Sequence, residues 1–356
     1  MGTKPHFPAL DGLRGFAAVA VVIYHIGIWF DADYLAANGA LAVDFFFCLS
    51  GFVLAFAYGQ RLQTTMTAGI FMRMRTIRLM PMVILGVLIG GAYVLLRALI
   101  GHAPIDYAGF VLALILGMLC LPYLYAPANL GDGVFPLNFP QYTLFLELVV
   151  NAFWAATRRF HSIKLSVAIT VGSFVLLCFT GIGGFATDTF LAGFPRVFAS
   201  FYLGVLVFEV HRRMPANIRL DGLFYAGALL MAALFFYPHH LSFASALFWI
   251  AVITPVIVLS GARTTLNGRY SDIALLGGKL SFPLYALHYP VIEWLNGTYQ
   301  IVVGARHPIV ESVIFLLAIP LILILLMRFY DEPLRRWLTR IFVKRSESPT
   351  VVARSS

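Results

Sequence analysis

The stretch that decides the fold is LDGLRGFAAVAVVIYH, residues 10–25. Leucine, alanine, valine and isoleucine dominate it, as in a segment that dissolves in lipid, yet it also contains Asp11, Arg14 and His25. An ionisable side chain within a membrane span is costly unless it is paired or hydrated. The stretch therefore predicts a membrane-embedded helix and a functional role for its polar residues.

The composition of the whole chain is that of a polytopic membrane protein. Of its 356 residues, 60% are hydrophobic and 12% are charged, and the mean hydropathy is +0.87. Soluble domains carry about 25% charged residues, and a soluble fold of this size has no room to bury so much apolar surface. Because lysine and arginine in such a chain mark cytoplasmic loops, the net charge of +9 does not indicate a nucleic-acid partner.

Eleven apolar runs approach the length of about 20 residues that a membrane helix needs. They cover residues 11–30, 41–59, 79–99, 108–125, 138–157, 165–183, 190–210, 221–238, 244–260, 273–295 and 311–330. The pattern predicts an all-α, polytopic integral membrane helical bundle. Residues 1–340 are expected to form a single transmembrane domain, and residues 341–356 a flexible, basic and serine-rich cytoplasmic tail.

Clusters of basic residues predict the orientation of these spans, since such clusters face the cytoplasm. They lie at residues 61–78, 158–164, 212–219, 263–269 and 335–345. Three apolar runs separate the first two clusters, although both clusters are expected on the same side. Irregular backbone is tolerated at membrane depth where protein buries it, and residues 123–142 are rich in glycine, proline and asparagine. We therefore expect about ten full spans, one partial or re-entrant segment, and both termini in the cytoplasm.

Arg14 and His25 are eleven residues apart on the first predicted helix. On an α-helix their side chains differ by roughly 20° in rotation about the axis, so they share one helix face. They lie about 16 Å apart along the axis. A histidine exchanges protons near neutral pH, which suits general base catalysis. Two plainer alternatives stay open, in which Arg14 extends to lipid headgroups and His25 only bonds a neighbouring helix.

Other ionisable residues lie in or beside the later apolar runs. Asp44 is placed to orient His25, or to cap a helix. Glu147 and Arg196 each lie within an apolar run and are candidates to neutralise one another, while His288 lies in the tenth run. No set of residues has the spacing of metal ligands, so no metal is expected.

The segment FMRMRTIRLMP (71–81) places Arg75 and Arg78 three residues apart, on one helix face. Arginine forks fit phosphate oxygens, so the pair predicts a site for a phosphorylated cytoplasmic ligand. The alternative is that the two arginines only anchor the helix end at the cytoplasmic side of the membrane. A transporter would also carry intramembrane ionisable residues, but transporters often contain internal repeats, and this sequence shows none.

Together these motifs resemble the membrane acyltransferase-3 family, whose members O-acylate surface polysaccharides, peptidoglycan, Nod factors and some antibiotics. The similar stretches follow the family's order from residue 10 to about residue 336. They are LDGLRGFAAVAVVIYH, DFFFCLSGF, FMRMRTIRLMP, TLFLE, PRVFASFYLG, GKLSFPLYALHYP and DEPLRR. Tyr142 stands where the family usually has a tryptophan.

The resemblance implies the reaction, its substrates and its location. An acyl group, with acetyl as the first expectation, would pass from cytoplasmic acetyl-coenzyme A to a hydroxyl of a carbohydrate or glycolipid acceptor, without a metal. The implied location is the bacterial inner membrane, among membrane lipids, with other polysaccharide-assembly proteins as further candidate partners. A proton-coupled transporter or flippase of a polysaccharide-pathway intermediate is the alternative.

The resemblance also implies roles for individual residues. His25 is expected to act as a general base on the acceptor hydroxyl or as a covalent acyl carrier, and both mechanisms stay open. Asp44 is expected to hold the imidazole tautomer. The remaining expected roles are catalysis for Arg14 and Glu147, donor binding for Arg14, Arg75 and Arg78, and substrate binding for Arg196 and His288.

Overall fold

The computed structural model describes residues 6–101, 104–131 and 133–343, and these residues form helices and connecting segments without a β-strand. The helices are α1 (Pro8–Trp29), α2 (Ala42–Thr64), α3 (Ala68–Gly101), α4 (Tyr107–Met118), α5 (Gln141–Ala156), α6 (Ile163–Thr180), α7 (Gly193–Arg213), α8 (Asp221–Phe235), α9 (Phe243–Phe248), α10 (Thr254–Ala262), α11 (Arg269–Val303), α12 (Pro308–Leu326) and α13 (Glu332–Phe342). The predicted all-α fold is confirmed. Most of the predicted tail, from residue 344 onward, lies outside the described residues.

Seven helical segments in the described part of the chain have the length and apolar composition of a membrane span. They are Pro8–Trp29, Gly39–Thr64, Ala68–Gly101, Ile163–Thr180, Phe190–Arg213, Phe243–Ala262 and Pro308–Phe342. Helices α4 and α8 are apolar but shorter, and α5 and α11 are not among the seven. The predicted count of ten requires α5, α8 and α11 to cross the membrane as well, and it stays a prediction.

The chain between α3 and α5 turns back on itself. Helix α4 has 12 residues and so rises about 18 Å, less than the roughly 30 Å of a hydrocarbon core. Its end packs Gly117 against Val87 of α3. The loop then returns towards the start of α4, where Arg97 donates to the carbonyl of Asn129, and the Asn129 side chain donates to the carbonyl of Pro104. A hairpin of this form fits the predicted partial or re-entrant segment, whose course relative to the membrane stays a prediction.

Helices α1 and α11 form the seam that positions the candidate site. The two helices run parallel, because Gly15 lies beside Gly277 and, further along both helices, His25 lies beside His288. A Cβ on Gly15 would lie 2.7 Å from the Cα of Gly277. The two backbones approach this closely because neither residue has a side chain.

A second close approach joins α2 to α7. A Cβ on Gly51 would lie 2.0 Å from the carbonyl oxygen of Phe201, and one on Gly204 would lie 1.9 Å from the carbonyl oxygen of Cys48. Gly51 therefore serves helix packing. Its neighbour Ser50 points elsewhere, since its hydroxyl donates to Glu147 on α5.

Candidate active site

A polar cavity of about 240 Å³ lies where α1 meets α3, α11 and α13. Its charged lining consists of Arg14, Arg78, Lys279 and Arg335, together with Asp331 and Glu332. Four cations thus face two carboxylates, and such an excess of positive charge in a cleft concentrates anionic ligands.

Arg14 is held in this cavity by α11. Its Nε donates to the Ser281 hydroxyl at 2.8 Å, and a terminal nitrogen donates to the Gly278 carbonyl at 2.5 Å. The same terminal nitrogen lies 2.9 Å from a carboxylate oxygen of Asp11. These bonds fix the guanidinium against the seam, which argues against the alternative in which it extends freely to lipid headgroups.

Two histidines meet further along the same seam. The Nδ1 atom of His25 lies 2.9 Å from the Val21 carbonyl oxygen and 3.1 Å from Nε2 of His288. The Nδ1 atom of His288 lies 2.9 Å and 3.0 Å from the carbonyl oxygens of Leu284 and Tyr285. Because a carbonyl oxygen only accepts hydrogen bonds, each neutral ring carries its proton on Nδ1. His288 Nε2 then accepts from His25, and His25 Nε2 is left as the unprotonated nitrogen.

The surroundings of the two rings differ. His288 is completely buried, whereas His25 is only partly buried. The ring centroids of Tyr24, Phe139 and Tyr289 lie 5.2, 6.0 and 5.8 Å from that of His25. Phe139 comes from the irregular loop that precedes α5. Aromatic rings thus surround His25 and make its environment largely apolar.

Asp44 and Arg196 form a buried ion pair between α2 and α7. The Nε of Arg196 lies 3.0 Å from Asp44 Oδ1, a terminal nitrogen lies 2.6 Å from Oδ2, and the Ser200 hydroxyl donates to Oδ1 at 3.3 Å. The prediction that Asp44 orients His25 is therefore wrong. The suggested pairing of Arg196 with Glu147 is wrong as well, because Arg196 pairs with Asp44 and Glu147 pairs with Arg75.

Glu147 instead pairs with Arg75. One carboxylate oxygen of Glu147 accepts hydrogen bonds from Arg75 and from the Ser50 hydroxyl, the latter at 2.8 Å. The Arg75 side chain is 7% exposed, and its Nε has no partner within the described residues. The structure thus separates the two predicted donor-binding arginines, since Arg78 lines the cationic cavity and Arg75 is buried against α5.

The two predicted substrate-binding residues are both enclosed. Arg196 is buried and bonds the Asp44 carboxylate and the Ala40 carbonyl, and both ring nitrogens of His288 are occupied. This arrangement argues against direct substrate contact and makes His288 a partner of His25 instead. Within the described residues, no group of three or more histidine, cysteine, aspartate or glutamate side chains could hold a metal ion.

Several residues of the site were given no role from the sequence, Lys279, Ser281 and Arg335 among them. Lys279 and Ser281 lie in the GKLSFP stretch, and Arg335 follows the DEP motif. Arg335 is drawn to the cavity by Asp331, whose Oδ2 lies 2.8 Å from it one helical turn away. An acidic residue four positions before an arginine was the available signal.

This helical bundle carries Arg14 at a cationic cavity and, further along the same helix, a histidine whose Nε2 has no hydrogen-bond partner among the described residues; these are features of a membrane-embedded transferase. The comparisons with known proteins make the class specific. The family model described as "Acyltransferase domain" matches residues 7–329. The chain therefore belongs to the acyltransferase-3 family, as its motifs indicated.

Curated relatives agree with this membership. "Acyltransferase MdmB" of Streptomyces mycarofaciens is 26% identical over 81% of this chain and 79% of its own length. "O-acetyltransferase OatA" of Staphylococcus aureus is 23% identical over 94% of this chain but 58% of its own length. "Protein 2 in picA locus" of Rhizobium radiobacter is 39% identical over 48% of this chain and 92% of its own length. No solved structure is significantly similar to the chain.

Proposed function

We propose that this protein is an O-acyltransferase that transfers an acetyl group from cytoplasmic acetyl-coenzyme A to a hydroxyl of a carbohydrate acceptor. The observation that carries the proposal is the seam between α1 and α11. One helix presents Arg14 to a cationic cavity and, eleven residues later, His25, whose Nδ1 lies against the Val21 carbonyl so that Nε2 is the nitrogen available as a base.

The cationic cavity is the proposed donor site. Acetyl-coenzyme A carries several phosphate charges, and arginine is well suited to phosphate because its planar fork donates two parallel hydrogen bonds. The basic clusters predict that this end of the bundle faces the cytoplasm, where the donor is found. The long, thin pantetheine arm would extend from the cavity along the seam towards His25.

The proposed reaction at His25 balances as a simple acyl transfer. His25 Nε2 removes the proton from the acceptor hydroxyl, and the oxygen attacks the thioester carbonyl carbon. The new C–O bond forms, the C–S bond breaks, and the coenzyme A thiolate leaves and takes up the proton. A positioned base of this kind contributes about 10²–10⁴-fold to the rate. His288 holds the His25 ring so that Nε2 is the basic nitrogen.

The structural part played by the ion pairs follows from the same geometry. Arg75 and Glu147 hold α3 against α5 near the donor end, and Asp44 and Arg196 join α2 to α7.

The proposed location is the bacterial inner membrane with both termini in the cytoplasm. Membership of an acyltransferase family supports this function over the transporter alternative.

The test uses purified protein in liposomes with radiolabelled acetyl-coenzyme A. We expect wild-type protein to consume the thioester in the presence of a panel of glycan acceptors, and His25→Gln to lose about 10²–10⁴-fold of that rate. His240→Gln, which changes an exposed histidine, is the matched control and should keep the full rate. Arg14→Gln should raise the KM for the donor, with exposed Arg159→Gln unchanged.

The product separates the two chemical variants. Label that stays on the protein before acceptor is added would indicate an acyl-histidine intermediate, and label found only in the glycan would indicate a general base. Equal donor consumption by wild type and His25→Gln would refute the assignment of His25. No donor binding or turnover by folded wild-type protein would refute the enzyme and favour transport.

A further inference from the structure

One acidic side chain in the wall of the cationic cavity has an unused hydrogen-bonding atom. Asp331 lines this cavity and is 1% exposed. Its Oδ2 lies 2.8 Å from a guanidinium nitrogen of Arg335, whereas its Oδ1 is buried and has no hydrogen-bond partner among the described residues. Burying a carboxylate oxygen without a donor is costly. A bound ligand that supplies an N–H or O–H group would remove that cost.

Two cations of the same cavity are available for the charged part of a ligand. Arg78 and Lys279 line the cavity, and neither forms an ion pair with a carboxylate in the part of the chain that the structure describes. The other two cations, Arg14 and Arg335, each lie within 2.9 Å of an aspartate oxygen. The cavity therefore offers two unpaired cations and one unpaired acceptor.

These groups together select a particular kind of ligand. An inorganic phosphate would pair with Arg78 and Lys279, but it would also bring negative charge close to the Asp331 carboxylate, which repels it. A phosphorylated nucleoside carries hydroxyl and amine groups beside its phosphates, so it can bind the two cations and also donate to Asp331. We infer that Asp331 is a specificity-determining residue that makes the cavity select a phosphorylated nucleoside over simple phosphate, an inference that rests on the proposed function.

The neighbouring Glu332 also lines the cavity, but its carboxylate is placed differently. Its side chain is 41% exposed, and one of its oxygens lies 2.7 Å from Arg336. Asp331 ends a π-helical turn, a feature frequent at functional sites, and the hydroxyl of the adjacent Tyr330 donates to the Pro81 carbonyl of α3 at 3.2 Å. The local backbone thus holds Asp331 inside the bundle and leaves Glu332 at its edge.

The experiment measures ligand binding to the purified full chain in detergent micelles by isothermal titration calorimetry. One probe is adenosine 3′,5′-bisphosphate, the nucleotide part of coenzyme A. The other is inorganic pyrophosphate, which has phosphate oxygens but no amine or sugar hydroxyl. Wild-type protein should bind the nucleotide more tightly than pyrophosphate by about tenfold or more, because a hydrogen bond to a charged group is among the stronger ones.

Asp331→Asn tests the residue itself. Because Arg335 donates to this side chain, the amide oxygen should face Arg335, and the NH₂ group then replaces the unpaired acceptor. The Kd for the nucleotide should rise about 10–100-fold, while the Kd for pyrophosphate should fall, since the repulsion is gone. Glu332→Gln is the matched control. It removes the same charge from the same cavity, and it should change both Kd values by the same factor.

Two results would overturn the inference. Equal changes of the two Kd values in Asp331→Asn would show that the residue acts only through its charge or by holding Arg335. Equal affinity of wild-type protein for the two probes would overturn it without any variant. His25-dependent consumption of acetyl-coenzyme A, measured on the same preparation, reports the proposed function separately, so failure of one can be told from failure of the other.

Discussion

The two buried arginine–carboxylate pairs of this protein are built differently. Asp44 and Arg196 are 0% and 5% exposed at their side chains, and the two groups meet as a fork that Ser200 completes. Glu147 is 17% exposed, shares one oxygen between Arg75 and Ser50, and leaves the Arg75 Nε without a partner in the described part of the chain.

The difference indicates different roles. A pair that is almost completely enclosed is closed to a substrate, and its value lies in holding helices together. A pair with an unused donor and a partly exposed carboxylate keeps bonding capacity that a ligand or a change of conformation can use. Both pairs come from similar apolar sequence contexts, so ionisable character within a span does not by itself mark a catalytic group.

Breaking the enclosed pair should have the largest effect on stability. Asp44→Ala would leave Arg196 buried without its partner, which should lower the free energy of unfolding by about 3–5 kcal/mol. The measurement is thermal or denaturant unfolding in detergent micelles. The double variant Asp44→Leu with Arg196→Met should recover most of the loss, because an apolar replacement of a buried pair is often neutral. A fully stable Asp44→Ala protein would contradict a structural role for the pair.

Breaking the open pair should cost less stability and more activity. Glu147→Gln should lower the free energy of unfolding by about 1–3 kcal/mol, since the partly exposed site admits some water and Gln keeps a hydrogen bond. Its rate of acetyl-coenzyme A consumption should nevertheless fall below that of the stable Asp44–Arg196 double variant. The comparison would fail if the double variant were the less active of the two.

The smallest expected effects come from Ser50 and Ser200, the serines that bond the carboxylates of the two pairs. Ser50→Ala and Ser200→Ala each remove one hydroxyl that donates to a carboxylate, and each should cost about 0.5–1.5 kcal/mol of stability. Their effects on donor turnover should differ, with Ser50→Ala lowering the rate and Ser200→Ala leaving it unchanged. Steady-state kinetics of the two matched variants decides this, and equal rates would remove the functional distinction between the pairs.

The sequence predicted the parts of the fold that depend on local pattern. Apolar composition predicts membrane helices, and the eleven-residue spacing places Arg14 and His25 along one face of α1. The sequence has one apolar run too many between two basic clusters, which predicts a segment that does not cross the membrane. Helix α4 is too short for a full span, but whether it crosses stays a prediction. Each of these inferences needs only spacing along one element.

Partners across helices could not be predicted in the same way. From the local sequence, Asp44 could pair with either Arg196 or His25. Its position near the start of α2 is compatible with each of the two pairings. The meeting of His25 with His288 depends on the parallel packing of α1 and α11. That packing depends in turn on Gly15 and Gly277. Their contact cannot be predicted from either helix alone, because they lie in separate elements.

The parallel seam also has a consequence for the order of events during synthesis. His25 and His288 are separated by 263 positions, so the ribosome completes the second half of the site long after the first helix has been made. At about 5–20 residues per second, the interval is on the order of tens of seconds. During that time α1 carries Arg14 and His25 without their partners on α11. The candidate site is therefore among the last features of the molecule to form, and the nascent chain is expected to be inactive until α11 has joined the bundle.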